Sequence, residues 1–186
     1  MLLRFLLLIP LAWMSIGFAP SAHAHKFAIS TGLYSLATTN QETGESLGSI
    51  GVGAYQFQYS VRILPRVTAE VGYFLIFSSG LAGLDSNGLE TGLSFYPMGE
   101  PEAQTFRDDF VSLRVSEIWR PYVGAFFAQR QVVSAPFAGF GFKAGTEWVF
   151  KSPWLLKVEG RYARHSNPEV SPLSEITGNI GIGIEF

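Results

Sequence analysis

The 186-residue chain contains no cysteine. That excludes a disulfide framework, a thiolate metal centre and a cysteine nucleophile. Charge is scarce as well: Asp, Glu, Lys and Arg together make up 15% of the residues, and the formal net charge is −2. A nucleic-acid partner needs a basic face to neutralise its phosphates, and none is expected here. Histidines stand only at positions 23, 25 and 165. They are too scattered to form a ligand set, so neither a metal nor a cofactor is expected. The pairs Gly139/Gly141 and Gly181/Gly183 lie inside strand-like sequence with no helix following, which excludes a nucleotide loop. Beyond residue 25 no stretch approaches the roughly 20 apolar residues that a membrane-spanning helix requires.

What the chain does have is apolar and aromatic surface: 47% hydrophobic residues, 15% aromatic, with 16 Phe and 20 Gly. Its first 24 residues read as a signal peptide. Arg4 supplies the positive charge, residues 6–18 an apolar run broken by Pro10 and Ser15, and Ala22-His23-Ala24 the small-residue cleavage site. The domain is then 25–186. An exported, hydrophobic chain without a membrane helix has one other way to satisfy its backbone in lipid, a closed β-barrel.

Period-two alternation supports that reading. Tyr55, Phe57, Tyr59, Val61 and Ile63 fall on one face of a strand, with Gln56, Gln58, Ser60 and Arg62 on the other. Similar alternation recurs over residues 26–36, 67–77, 89–96, 120–132, 139–150 and 154–162. The last strand places Ile176, Ile180, Ile182, Ile184 and Phe186 opposite Thr177, Asn179, Gly181, Gly183 and Glu185. A terminal alternating strand ending in Phe resembles the signal read by the outer-membrane assembly machinery. The predicted fold is all-β: an eight-stranded antiparallel transmembrane β-barrel with meander topology. An even strand count puts both termini in the periplasm. Residues 37–47, 78–88, 133–136 and 166–174 then form outer loops. Residues 98–116 break the meander on the periplasmic side and read as a strand extension with a loop, or as a short helix over 102–113. Tyr73, Trp119, Trp148, Trp154, Tyr162 and Phe186 suit interfacial girdles.

The inward face collects Arg62, Glu70, Glu90, Lys143, Glu147, Lys157, Glu159 and Arg161. An eight-stranded barrel is only wide enough to be filled by side chains. The predicted arrangement is a paired network that plugs the lumen, with a narrow ion or solute path as the alternative.

Two resemblances add to this. Arg120-Pro121-Tyr122-Val123-Gly124-Ala125, residues 139–147 and Gly92-Leu93-Ser94-Phe95-Tyr96-Pro97 resemble small outer-membrane barrels of the opacity-protein and OmpA-like type. That resemblance covers the whole predicted domain. It implies an envelope anchor, adhesin or surface antigen in the bacterial outer membrane, among outer-membrane lipids and lipopolysaccharide, with any extracellular ligand held at the outer loops. Separately, Arg161-Tyr162-Ala163-Arg164-His165-Ser166-Asn167 is similar to the R-Y-x-H-x-S-N segment of the lipid A 3-O-deacylase family. It implies an esterase with Ser166 as nucleophile and Glu175 as the acid. Arg164 stands where that motif has its His, and an Arg cannot act as a base. His165 faces inward by parity and would serve only if a bulge turned it outward. The reading favoured by the residues is a structural or surface-interaction barrel. A lipid A deacylase and a narrow channel are the alternatives.

Overall fold

The computed structural model of the chain describes residues 25–39, 46–77, 86–98, 104–108, 111–115, 119–132, 135–151, 153–167 and 170–186. The predicted signal peptide lies outside them.

The described residues form ten strands: β1 (His25–Thr39), β2 (Ser46–Leu64), β3 (Val67–Ile76), β4 (Ser86–Phe95), β5 (Gln104–Asp108), β6 (Val111–Val115), β7 (Trp119–Val132), β8 (Ala135–Lys151), β9 (Trp154–Asn167) and β10 (Val170–Glu185). Eight of them close into an antiparallel barrel in the order β1-β10-β9-β8-β7-β4-β3-β2. The seam between β1 and β10 runs from Lys26 opposite Glu185 to Thr38 opposite Leu173. At its end the His25 N–H donates to the Phe186 carbonyl and the Phe186 N–H to that of His25, both at 2.9 Å. Closure leaves no sheet edge in the barrel, which is what lets strands cross hydrocarbon.

Segment 98–116 differs from both forms expected of it. Its described residues 104–108 and 111–115 pair as a separate two-stranded antiparallel sheet, β5 with β6, and none of the described residues of the segment is helical. The sequence is rich in residues that suit a pleated backbone, including Thr105, Phe106, Val111, Leu113 and Val115. The outer loops are also shorter than expected. Strands β1 and β2 extend to Thr39 and Ser46, β4 begins at Ser86, β8 at Ala135, and β9 and β10 reach Asn167 and Val170. Cross-strand pairing continues after the hydrophobic alternation fades, because a ladder needs only backbone groups while the alternation needs a lipid face.

The outward face is a continuous apolar belt. Ile29 on β1, Phe57 on β2, Leu93 on β4, Phe142 on β8 and Ile182 on β10 are all exposed. A patch of this extent is built to face hydrocarbon. Trp119 and Trp148 pair across β7 and β8 at the end that carries the termini, and Trp154 and Phe186 stand at the same end. Those four rings mark one rim of the belt.

One irregularity shifts the pattern on β2. The β1–β2 register slips between Gly32 and Leu33, which face Ala54 and Val52 and leave Gly53 as an extra residue. Gly53 has φ +124°, and its carbonyl accepts the Phe77 N–H at 3.0 Å. Below it Tyr55 and Phe57 point outward, and above it Val52 and Ile50 do. The bulge thus re-phases the strand. An added Cβ would meet the Phe77 carbonyl oxygen at 2.9 Å in a conformation that L side chains rarely adopt. Gly53→Val is therefore expected to destabilise the barrel by about 1–3 kcal/mol. A lower urea midpoint in refolded vesicles checks this, and an unchanged midpoint refutes the bulge constraint.

Candidate functional site

The concave feature of this fold is its own interior, and the inward half of every barrel strand contributes to it. Starting at the end with the termini, Arg120 donates to Glu185 at 2.6 Å, and Arg62 lies 3.9 Å from the same carboxylate. Above them Lys26 donates to Glu147 at 3.0 Å and to the Tyr96 hydroxyl at 2.9 Å, while that hydroxyl donates to Glu147 at 3.0 Å. The middle layer joins Lys143 to Glu70, Lys157 to Gln58 and Glu159, and the Tyr122 hydroxyl to Glu159 at 2.8 Å. Next, Arg161 donates to Glu90 at 2.6 Å. Arg130 then bridges Glu90 to Glu175, gripping the latter through Nε at 3.0 Å and Nη2 at 3.1 Å. His165 Nε2 lies 3.3 Å from Glu175.

Every one of these carboxylates has a cationic partner, as buried charge requires. Both guanidinium groups also lie over rings: the Arg161 Cζ sits 4.2 Å from the Phe126 centroid, and the Arg130 Cζ 4.4 Å from that of Phe74. A cavity of about 10 Å³ remains beside Glu70, Glu90, Lys143 and Arg161. It has room for about one water molecule.

Above Arg130 the filling changes character. Tyr34, Leu36, Ala54, Phe74, Ile76, Val132, Phe137 and Leu173 form a buried apolar cluster at the loop end of the lumen. The interior therefore has two stacked fillings, paired charge over most of its height and hydrocarbon at the loop end.

All eight inward charges expected from the sequence point into the lumen and take part in this network. Lys26, Arg120, Arg130 and Glu175 belong to it too, and the sequence reading missed them. The signal was there for all four: continuing the parity of Tyr122 and Phe126 along β7 places Arg120 and Arg130 inward, and Lys26 alternates with Phe27. Glu175 lies between the expected outer loop, 166–174, and Ile176, the first residue expected on the last strand, and the parity of that strand carried back one residue places it inward.

The three residues implied by the deacylase-like segment are divided by the barrel wall. His165 is fully buried inside and lies against Glu175. Ser166 faces outward, with its hydroxyl 3.4 Å from the Ala138 carbonyl. No bulge interrupts β9 between them, since Gly139 opposes His165 and Ala138 opposes Ser166 in regular register. The backbone that would have to rotate for His165 to reach Ser166 is held in the β8–β9 ladder. Within the C-terminal strand Ile180, Ile182 and Phe186 point outward as expected, and the Phe186 ring stacks on that of His25 at 5.9 Å.

Removing Arg130 leaves Glu90 with one partner fewer and strands Glu175 beside His165. Arg130→Met is expected to cost about 3–5 kcal/mol, the usual result of breaking a buried pair from one side. Arg130→Met/Glu175→Leu recovers part of that loss, because the second change removes the stranded charge. Equilibrium urea unfolding of both variants checks the pair, and a double variant weaker than the single one contradicts it.

No family model and no curated protein matches the sequence. Among solved structures the chain is similar to Neisserial surface protein A (NspA), with a TM-score of 0.57 and 14% identity over 89% of this chain and 98% of that one. It is also similar to the N-terminal β-barrel domain of Pseudomonas aeruginosa OprF, with a TM-score of 0.53 and 11% identity over 86% and 97%. Identities this low speak for architecture alone, and together with the closed antiparallel strand order they show that the chain has the fold of the small eight-stranded outer-membrane β-barrels.

Proposed function

We propose that the protein is a bacterial outer-membrane barrel that works as a closed scaffold, making contacts through its loop end and its lipid-facing wall and passing no solute through its lumen. The observation that carries this reading is the double filling of the interior. A solute would have to part the Arg130–Glu90–Glu175 bridge and then cross the apolar cluster around Phe74 and Phe137. Opening the first exposes buried charge, and the second offers a passing ion no polar partner. The apolar belt and the likeness to the NspA and OprF barrels support the outer-membrane location. The outward Ile180, Ile182 and Phe186 support recognition of β10 by the assembly machinery. Recognition of an external ligand then falls to the strand ends and to the loops between them, carried on a rigid wall.

Planar-bilayer recordings test the closed lumen. The folded protein, verified by its heat-dependent gel mobility, is expected to give no conductance steps. Steps of fixed amplitude would overturn the scaffold reading in favour of a channel.

The outward Ser166 has no base among the described residues, so the esterase reading lacks a proton acceptor. Mass spectrometry of lipid A from expressing cells is expected to show the same acyl chains with the unaltered protein and with Ser166→Ala. Loss of an acyl chain that depends on Ser166 would establish an enzyme instead.

A further inference from the structure

Arg164 is the one charged side chain on the outward face of the barrel strands among the described residues. It is exposed, and no acidic side chain of the chain's described surface is available to it. Each carboxylate whose side chain is described, from Glu70 on β3 to Glu185 on β10, is committed to the interior network. The position along the wall is defined by register. Arg164 stands opposite Phe140 on β8 and Ser174 on β10. Toward the termini its outward neighbours are Tyr162, Phe142 and Ile176, all part of the apolar belt. Toward the loop end the next lateral row is polar: Ser166 and Gln129 flank Ala138. A cation therefore sits on the line where the belt meets the loop-end rim. Beside it is the exposed ring of Phe140, one row toward the termini that of Phe142, and one row toward the loop end lie a hydroxyl and an amide.

We infer that this patch holds a phosphate group of an outer-leaflet glycolipid, an acylated and phosphorylated sugar. The inference rests on the outer-membrane reading above, which places the end opposite the termini in the outer leaflet. The chemistry matches group by group. The guanidinium offers a planar pair of donors to a phosphate. The Ser166 hydroxyl and the Gln129 amide suit the sugar's hydroxyl and amide groups. The acyl chains descend over Phe140 and Phe142. A glycolipid uses the polar row as well as the charge, whereas a glycerol phospholipid of the same charge uses Arg164 alone. The guanidinium also gains from such a partner at the level where an unpaired charge on a lipid-facing strand is still penalised.

Lipid retention through purification tests the patch. Protein refolded in detergent is incubated with bis-phosphorylated lipid A, with dephosphorylated lipid A, or with phosphatidylglycerol, and bound lipid is counted by native mass spectrometry. The unaltered protein is expected to retain phosphorylated lipid A and little of the other two. Arg164→Gln is expected to reduce that retention roughly tenfold, as losing one charge-assisted contact does. Arg164→Lys should fall between them, because the charge stays and the fork is lost. Equal retention of phosphorylated and dephosphorylated lipid A by the unaltered protein, which needs no variant to fold, would overturn the phosphate assignment. Retention of phosphatidylglycerol as strong as that of lipid A would overturn the glycolipid. Both outcomes leave the outer-membrane reading intact. That reading fails separately if the expressed protein is absent from the outer-membrane fraction.

Discussion

A backbone in hydrocarbon has nowhere to send an unpaired N–H or C=O, and the other features of this barrel follow from that constraint. Pairing must be complete, so the sheet closes between β1 and β10. Eight strands enclose a space that is too narrow for a water-filled channel and too wide to be left empty. The inward side chains must therefore fill it. They do so with long charged and aromatic groups, and a charge taken out of water there needs a partner within reach. The salt-bridge network is thus a consequence of closure at this strand number.

The network is arranged in layers because of how inward residues from all eight strands meet at one height. Arg130 from β7, Glu90 from β4, Arg161 from β9 and Glu175 from β10 come together across the lumen although their strands are not all neighbours. Rings fill the gaps between charges. Phe74, at the edge of the apolar cluster, packs against Arg130, and Phe126 packs against Arg161. The apolar cluster means that the lumen is not uniformly polar, and it gives the loop end a dry floor. His165 stands opposite Leu173 of that cluster, held against Glu175 and facing away from the Ser166 beside it in sequence. The same alternation that builds the barrel keeps these two chemically suggestive neighbours apart.

On the outside the constraint works in reverse. A lipid-facing position tolerates an ionised group only near the headgroups, and the wall obeys this closely enough that its single described exception, Arg164, stands where the belt ends. The Trp119–Trp148 pair marks the other rim, at the end of the termini.

Much of this was legible in the residues alone. Alternation over Tyr55–Phe57, Val71–Tyr73 and Ile180–Ile182 named the strands and assigned each side chain to lipid or lumen, because a strand's side chains must alternate whatever surrounds it. Parity also held for Lys26, Arg120 and Arg130, although the reading did not carry it that far along each strand. What parity could not supply was partnership. Lys26 meets Glu147, and Arg130 meets Glu175, only because the stagger of the closed sheet brings those rows to one height, and stagger is a property of all eight strands together. The Gly53 bulge, the β5–β6 sheet and the extension of β9 and β10 past the belt were hidden for a related reason. They are set by backbone pairing where the hydrophobic pattern is silent or shifts by one residue. Composition and alternation by themselves determined a closed, lipid-facing barrel with charge inside, since those follow from solvent preference one residue at a time. Only the tertiary structure decided which charges pair, what caps the lumen and which side of the wall His165 and Ser166 occupy, since those depend on distances across a barrel that no local pattern encodes.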